Sequence, residues 1–313
     1  MVQGSAEPPV FDAESLQGAR GRFRKEAAIR RVFFAAAATS IVVSVLIILS
    51  LLGETWTFVT QVDYSSLWTD GWFPRRGMYD VKTILVGSIL VTVVAMFVAG
   101  PLGMGAAAYL SEYAKPRVRR TLKPILEILA GIPSVVLGFF ALTWISPEIV
   151  QRLNSESSLF NLMAAGIGVG ILTTPLVASI AEDAMRSVPH ALREASYGMG
   201  ARKVTTSTKV VIPAAVSGLV AAFIIGISRA IGETMVVAIA AGATGGSLFS
   251  LNLFEPGQTM TAAMASMAAG TDAVKGAGLT FQSLFFVGLL LFLITLLLNV
   301  SADRFVRRVR QKY

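Results

Sequence analysis

Two ionisable side chains, Arg229 and Glu233, lie inside an apolar run from 214 to 241, in the segment Ser228-Arg229-Ala230-Ile231-Gly232-Glu233-Thr234-Met235. A charge at the centre of a membrane-crossing helix costs roughly 2.5–3.5 kcal/mol on insertion scales. Four residues separate the two, which puts them on one face of a helix. One reading is that they neutralise each other and lock a helix contact. The other is that Arg229 faces a pathway and attracts an anion, with Glu233 limiting how tightly it binds. An arginine fork suits phosphate or sulfate because it makes bidentate bonds. Arg229, Glu233 and Thr234 are therefore the candidate anion pathway.

No catalytic set accompanies them. The 313 residues include no cysteine and one histidine, His190, which excludes thiol chemistry and an imidazole metal cluster. No G-x-x-x-x-G-K-[ST] phosphate loop is present, so ATP would have to be bound by another chain. Transport rather than catalysis is the expectation, with no cofactor on this chain and no enzyme activity of its own.

The elements that would position these charges are membrane helices. The chain is 54% hydrophobic and 15% charged, with a mean hydropathy of +0.66, a membrane composition. Six spans are predicted: Val32–Leu52, Thr83–Leu110 with a break at Gly100-Pro101-Leu102-Gly103, Ile125–Ser146, Leu159–Ala181, Ala214–Ala241 and Phe281–Val300. Residues 1–31 read as a disordered, then basic tail, 53–82 as an external connection and 303–313 as a basic tail. Trp56, Trp68 and Trp72 suit a membrane interface. Glu127 falls near one end of the third span, either solvated or functional. Gly131 and Pro133 bend that span. Thr259–Ala269 reads as a re-entrant or interfacial helix, with Met260, Met264 and Met267 at packing positions. Lys and Arg in the connections divide 21 to 5 between the two sides, which places both termini in the cytoplasm. The net charge of +8 is thereby topogenic. Cations that flank spans give no reason to expect nucleic acid.

The polar insert between spans four and five, residues 182–213, carries the remaining signal. Pro189 opens a short helix over Ala191–Tyr197, Gly198 and Gly200 allow a sharp reversal, and a second short helix runs from Arg202 to Val210. Pro213 ends it. Small side chains at Ala195 and Ser196 leave a surface that a partner can approach closely, with Arg193, Glu194, Arg202 and Lys203 around it. Glu194, Ala195, Ser196, Gly200 and Pro213 match the pattern E-A-A-x3-G-x9-I-x-L-P, with Ser196, Val210 and Ile212 as conservative departures. That pattern resembles the ATPase-coupling loop of ABC importer permeases, to which Arg193 is added here.

Four segments together resemble the phosphate ABC transporter permeases, of the PstC type: Leu110-Ser111-Glu112-Tyr113-Ala114, Leu129 to Val136, Val188 to Gly200, and Arg229 to Met235. The segment Gln258 to Ala263 also fits. The resemblance covers about residues 80 to 302. It implies an all-α membrane protein with the six-helix, MetI-like fold of type I importers, and a permease domain over 83–302. It further implies pairing with a PstA-like permease, two copies of a PstB-like ATPase that bind ATP and Mg, and a PstS-like protein that delivers inorganic phosphate. Glu194 and its neighbours would couple ATP binding to the pathway, in a multi-pass protein of a bacterial or archaeal cell membrane. Two alternatives stay open: a permease of the same fold for sulfate, molybdate or tungstate, and a secondary transporter working without ATP. The second predicts inverted repeats, which the sequence does not display.

Overall fold

The computed structural model describes residues 20–69, 71–242, 246–268 and 278–309. The N-terminal stretch expected to be disordered, Ala269, and the tail residues Arg310 and Lys312 lie outside them. The chain divides into two units, Met1–Ser50 and Leu51–Tyr313.

In the first unit the described element is the N-terminal part of helix α1 (Arg20–Gln61). Phe33, Phe34, Ile41 and Leu46 there are exposed, as a lipid-facing helix requires. The helix continues past the expected end at Leu52 to Gln61, so Trp56 is helical.

Among the described residues, the second unit holds the rest of α1, two short 3-10 turns (Tyr64–Trp68 and Pro74–Arg76) and ten more helices. They are α2 (Val81–Tyr113), α3 (Pro116–Leu129), α4 (Ser134–Leu153), α5 (Leu162–Arg186), α6 (His190–Gly198), α7 (Lys203–Ala214), α8 (Val216–Ile231), α9 (Met235–Ala240), α10 (Met260–Ala268) and α11 (Thr280–Val309). Helices α1, α2, α4, α5 and α11 are long and apolar enough to cross a membrane; α7 and α8, bent by 72°, make a sixth candidate. The helical class holds. One addition is a small antiparallel sheet of β1 (Gly71–Phe73), β2 (Met78–Tyr79) and β3 (Ser247–Leu248), in the order β2-β1-β3. Trp72 pairs with Tyr79 and Ser247 in it and is 1% exposed, so it is a core residue rather than an interfacial one.

Several boundaries differ from expectation. Helix α2 does not break at Gly100-Pro101 but runs through to a π-helical turn at Tyr109–Tyr113. Pro101 removes one hydrogen bond; Gly100 and Gly103 are meanwhile packed on Phe223 and Val177. The third span begins at Ser134, not Ile125, because Pro133 disfavours helical backbone at the residue before it. Residues 116–129 instead form α3, an amphipathic helix with no buried residue, and Glu127 is exposed on it. Helix α5, capped by the Asn161 side chain on the Ala164 amide at 2.7 Å, extends beyond Ala181 to Arg186. The bend before α8 falls at Ala215 rather than Pro213: Pro213 sits within α7, just after a π-helical stretch at Ser207–Val211. A third π-helical stretch, Ala141–Val150, lies in α4.

The packing centre is the α2–α5 pair. A Cβ on Gly166 would lie 2.6 Å from Val94 Cβ, and one on Gly170 2.7 Å from Val98 Cβ. Only hydrogen fits there, and the two backbones approach as small-residue membrane contacts do. Around this pair, Val91, Leu137, Ile145, Val169 and Val236 form a central cluster. At one end Phe58, Ile84 and Met260 pack with Trp72 and Tyr79 of the sheet. At the other, Ala107, Met185, Val188, Val211 and Leu219 support α6 and α7.

Candidate functional site

The insert at 182–213 folds as two short helices. Pro189 precedes α6 in an extended conformation and leaves the first turn open. The helix ends in a Schellman motif: Gly200 takes φ +76, its N–H donates to the Tyr197 carbonyl at 2.9 Å, and the Ala201 N–H donates to the Ser196 carbonyl at 3.2 Å. The reversal expected from the glycines thus rests on Gly200, while Gly198 is the last helical residue. The Ser196 and Thr206 hydroxyls lie 2.8 Å apart and join α6 to α7. An alanine at 196 could not make that bond.

The residues of the insert divide by face. Glu194, Ala195 and Met199 are exposed, Met199 at 88%. Leu192 turns back to pack on the cluster beneath. Arg193 also turns back. Its Nη1 donates to the Val188 carbonyl at 2.6 Å, and its Nη2 to the Met185 carbonyl at 2.8 Å and to Glu112 Oε1 at 3.1 Å. Glu112 is oriented by the Ser111 hydroxyl at 2.8 Å. Lys203 Nζ sits 5.1 Å from the centre of the Tyr113 ring, a cation–π contact. The end of α2 therefore braces both short helices, and Arg193 is a bracing residue rather than a free surface charge.

A second brace fixes α3. Glu182, fully buried on α5, lies 2.7 Å from Arg119 Nη2 and 2.8 Å from Lys123 Nζ. Lys123 also donates to Asp183 Oδ1 at 2.6 Å. Burial works against the Lys123 charge, but the bonds and charges of Asp183 and Glu182 outweigh it and hold the ammonium above its ordinary pKa.

The charged segment 228–235 is not one continuous helix. Helix α8 stops at Ile231, Gly232 caps it, and α9 starts at Met235, with Thr234 as its N-cap. The expected shared helix face does not form, because the helix is interrupted at 232–234, between the two charges. Among the described residues Arg229 and Glu233 make no ion pair within 4.0 Å, and Arg229 is exposed. Glu233 is 9% exposed. Its Oε1 accepts a long bond, 3.5 Å, from the Val236 N–H at the start of α9. Its carbonyl accepts the Thr261 hydroxyl at 2.7 Å, which ties the break to α10. The Thr234 hydroxyl lies 3.4 Å from the Gly232 carbonyl. Ser228 donates to Asn299 of α11 at 3.1 Å. Helix backbone interrupted at this depth needs protein or a cavity around it, and Thr261 supplies part of that support. The role of Thr261 was not readable from the sequence, since it stands 28 residues beyond Glu233. Glu112 was marked only as part of a resembling segment.

Solved structures share the overall fold. A chain of a bacterial ABC transporter involved in the import of the acidic polysaccharide alginate superposes with a TM-score of 0.63 at 13% identity, covering 93% of this chain and 100% of that one. A chain of the inward-facing MetNI methionine ABC transporter superposes with a TM-score of 0.53 at 22% identity, covering 74% and 94%. The chain shares the fold of these ABC transporter chains.

Residues 99–312 match the family described as "Binding-protein-dependent transport system inner membrane component", and the chain belongs to that family. The phosphate transport system permease protein PstC of Mesorhizobium japonicum is 29% identical over 316 residues, covering 92% of this chain and 95% of that protein. PstC 1 of Mycobacterium tuberculosis is 30% identical over 256 residues, covering 75% of each. The probable ABC transporter permease YqgH of Bacillus subtilis is 39% identical over 166 residues, and this match spans 53% of either chain.

Proposed function

We propose that the chain is the permease subunit of an ATP-driven importer of inorganic phosphate, and that α6 and α7 couple it to a separate ATPase. The coupling reading rests on one observation: Glu194, Ala195 and Met199 are exposed on a helix braced from behind by Arg193 and Ser196. A braced, uncovered helix is suited to receive a push from a partner. The substrate reading draws on the PstC relatives and on Arg229, which has no anionic partner among the described residues and sits beside a helix break. In this reading both termini and the coupling helices lie in the cytoplasm. A PstA-like permease completes the pathway, two PstB-like subunits bind ATP and Mg, and a PstS-like protein delivers phosphate.

The test is labelled phosphate uptake in a permease-null host supplied with the neighbouring subunits, with sulfate as control. Phosphate uptake that needs ATP and is abolished by Glu194→Arg and by Arg229→Gln supports both parts. Unaffected uptake in Glu194→Arg removes the coupling assignment. Normal phosphate uptake in Arg229→Gln removes the pathway role of the arginine. Uptake of sulfate without phosphate keeps the architecture and changes the substrate.

A further inference from the structure

The coupling helix α6 has a second face. While Glu194, Ala195 and Met199 face outward, His190, Arg193 and Tyr197 line a cavity of about 700 Å³ between α6, α3 and the end of α2. The cavity wall carries five Lys and Arg side chains, Arg119, Arg120, Lys123, Arg186 and Arg193, against two carboxylates, Glu112 and Glu127. Three of the cations are committed: Arg119 and Lys123 to Glu182, and Arg193 to Glu112. Arg120 and Arg186 have no ion-pair or hydrogen-bond partner among the described residues. One comes from α3 and the other from the end of α5, so the fold brings two uncommitted guanidinium groups from separate elements to one concavity.

We propose that this cavity is an effector site for a phosphate-bearing anion, held by Arg120 and Arg186 behind the coupling helix. With Arg120 and Arg186 set against Glu127, the wall keeps a positive balance, and a concave wall of that sign concentrates counter-ions. Planar guanidinium forks match phosphate oxygens. The volume lies within the range of small-ligand pockets. Its surroundings allow two sources for the same chemistry. The exposed apolar residues Val118, Leu122 and Ile125 of α3 would lie along acyl chains, and basic pockets beside membrane helices take anionic headgroups. Free inorganic phosphate on the coupling-helix side is the other source. Either occupant bridges α3 to α6 and restrains the helix that the proposed ATPase would move. Binding stands apart from the proposed transport function; only the effect on coupling rests on it.

The experiment uses the membrane complex in nanodiscs, without the phosphate-delivering protein and carrying Arg229→Gln, so that neither that protein nor the candidate pathway contributes. Retention of phosphatidylglycerol against phosphatidylcholine is read by native mass spectrometry. Inorganic phosphate binding is read by phosphorus NMR, with sulfate as competitor. The double substitution Arg120→Gln/Arg186→Gln is compared with Lys115→Gln/Arg117→Gln, which removes the same charge from exposed positions outside the cavity wall. The expected result is preferential retention of phosphatidylglycerol, or saturable phosphate binding, weakened about tenfold or more by the first pair and not by the second. Lipid retention alone names the headgroup; phosphate binding alone names the free anion. Equal loss in both pairs, or no preferential binding of either probe, overturns the proposal.

Discussion

Arg193 Nη2 lies 3.1 Å from Glu112 Oε1, joining helix α6 to the end of α2 across 81 residues of chain. The side chains of the pair are 12% and 4% exposed. The same guanidinium holds the carbonyls of Met185 and Val188, so three elements meet on one group. Arg193→Ala strands the buried Glu112 carboxylate, and breaking a buried pair this way costs about 3–5 kcal/mol. Arg193→Lys recovers only part of that, because an ammonium lacks the fork that reaches three acceptors. Thermal unfolding of the purified subunit in detergent checks the ordering: wild type above Lys, Lys above Ala. Equal melting of all three contradicts the brace.

The turn at Gly200 gives a milder and more local expectation. A Cβ there meets nothing within 4 Å, so only the backbone conformation opposes a side chain. Left-handed backbone costs an L-residue about 1–2 kcal/mol. Gly200→Ala is expected to speed amide exchange at Gly200 and Ala201, whose N–H groups close the motif. Gly200→Asn is expected to change it little, since asparagine tolerates this conformation.

Two glycine-to-alanine substitutions should differ in sign. At Gly166 the new methyl collides with Val94, and α2 and α5 must separate. At Gly53, inside α1, it meets nothing within 4 Å, and the helix gains up to about 1 kcal/mol from alanine's propensity. Yield of folded protein from membranes should fall for the first and hold or rise for the second.

Glu182 is the anchor of α3. Glu182→Gln leaves Arg119 and Lys123 without their common anion, and amide exchange along 116–129 is expected to accelerate relative to α5. The pH dependence follows from Lys123. Its pKa is raised above the ordinary lysine value, so its contribution is complete at lower pH and is lost only as pH climbs through that raised value. The protection of α3 amides, after correction for the base-catalysed intrinsic rate, should therefore be flat through neutrality and fall in strongly alkaline solution. A transition near neutral pH would contradict the assignment.

Local signals were readable in the sequence; pairings across distance were not. Apolar runs located the long helices because a bilayer demands length and composition together. Gly200 and Pro189 announced α6 through backbone chemistry that each carries alone. The break at Gly232–Thr234 was missed because apolar residues continue on either side of it, so the stretch scans as one span. Helix α3 was divided between a loop and a span because its last turn is apolar; the stop came from Pro133. Glu112 sits 81 residues from Arg193, and Glu182 sits 59 residues from Lys123 and still further from Arg119, and nothing in the neighbourhood of any of them marks the partner.

The π-helical stretches in α2, α4 and α7 bear on how this chain can change its length. A π turn takes in one residue more than an α turn. Removing one residue from Tyr109–Tyr113 or Ser207–Val211 would restore ordinary winding and keep the following face in phase. In α5, which is α-helical from Leu162 to Arg186, a single deletion rotates everything beyond it by about 100° and takes Gly166 and Gly170 out of register. Lineages of this chain therefore have room to gain or lose a residue beside α6, and none along the central α2–α5 contact.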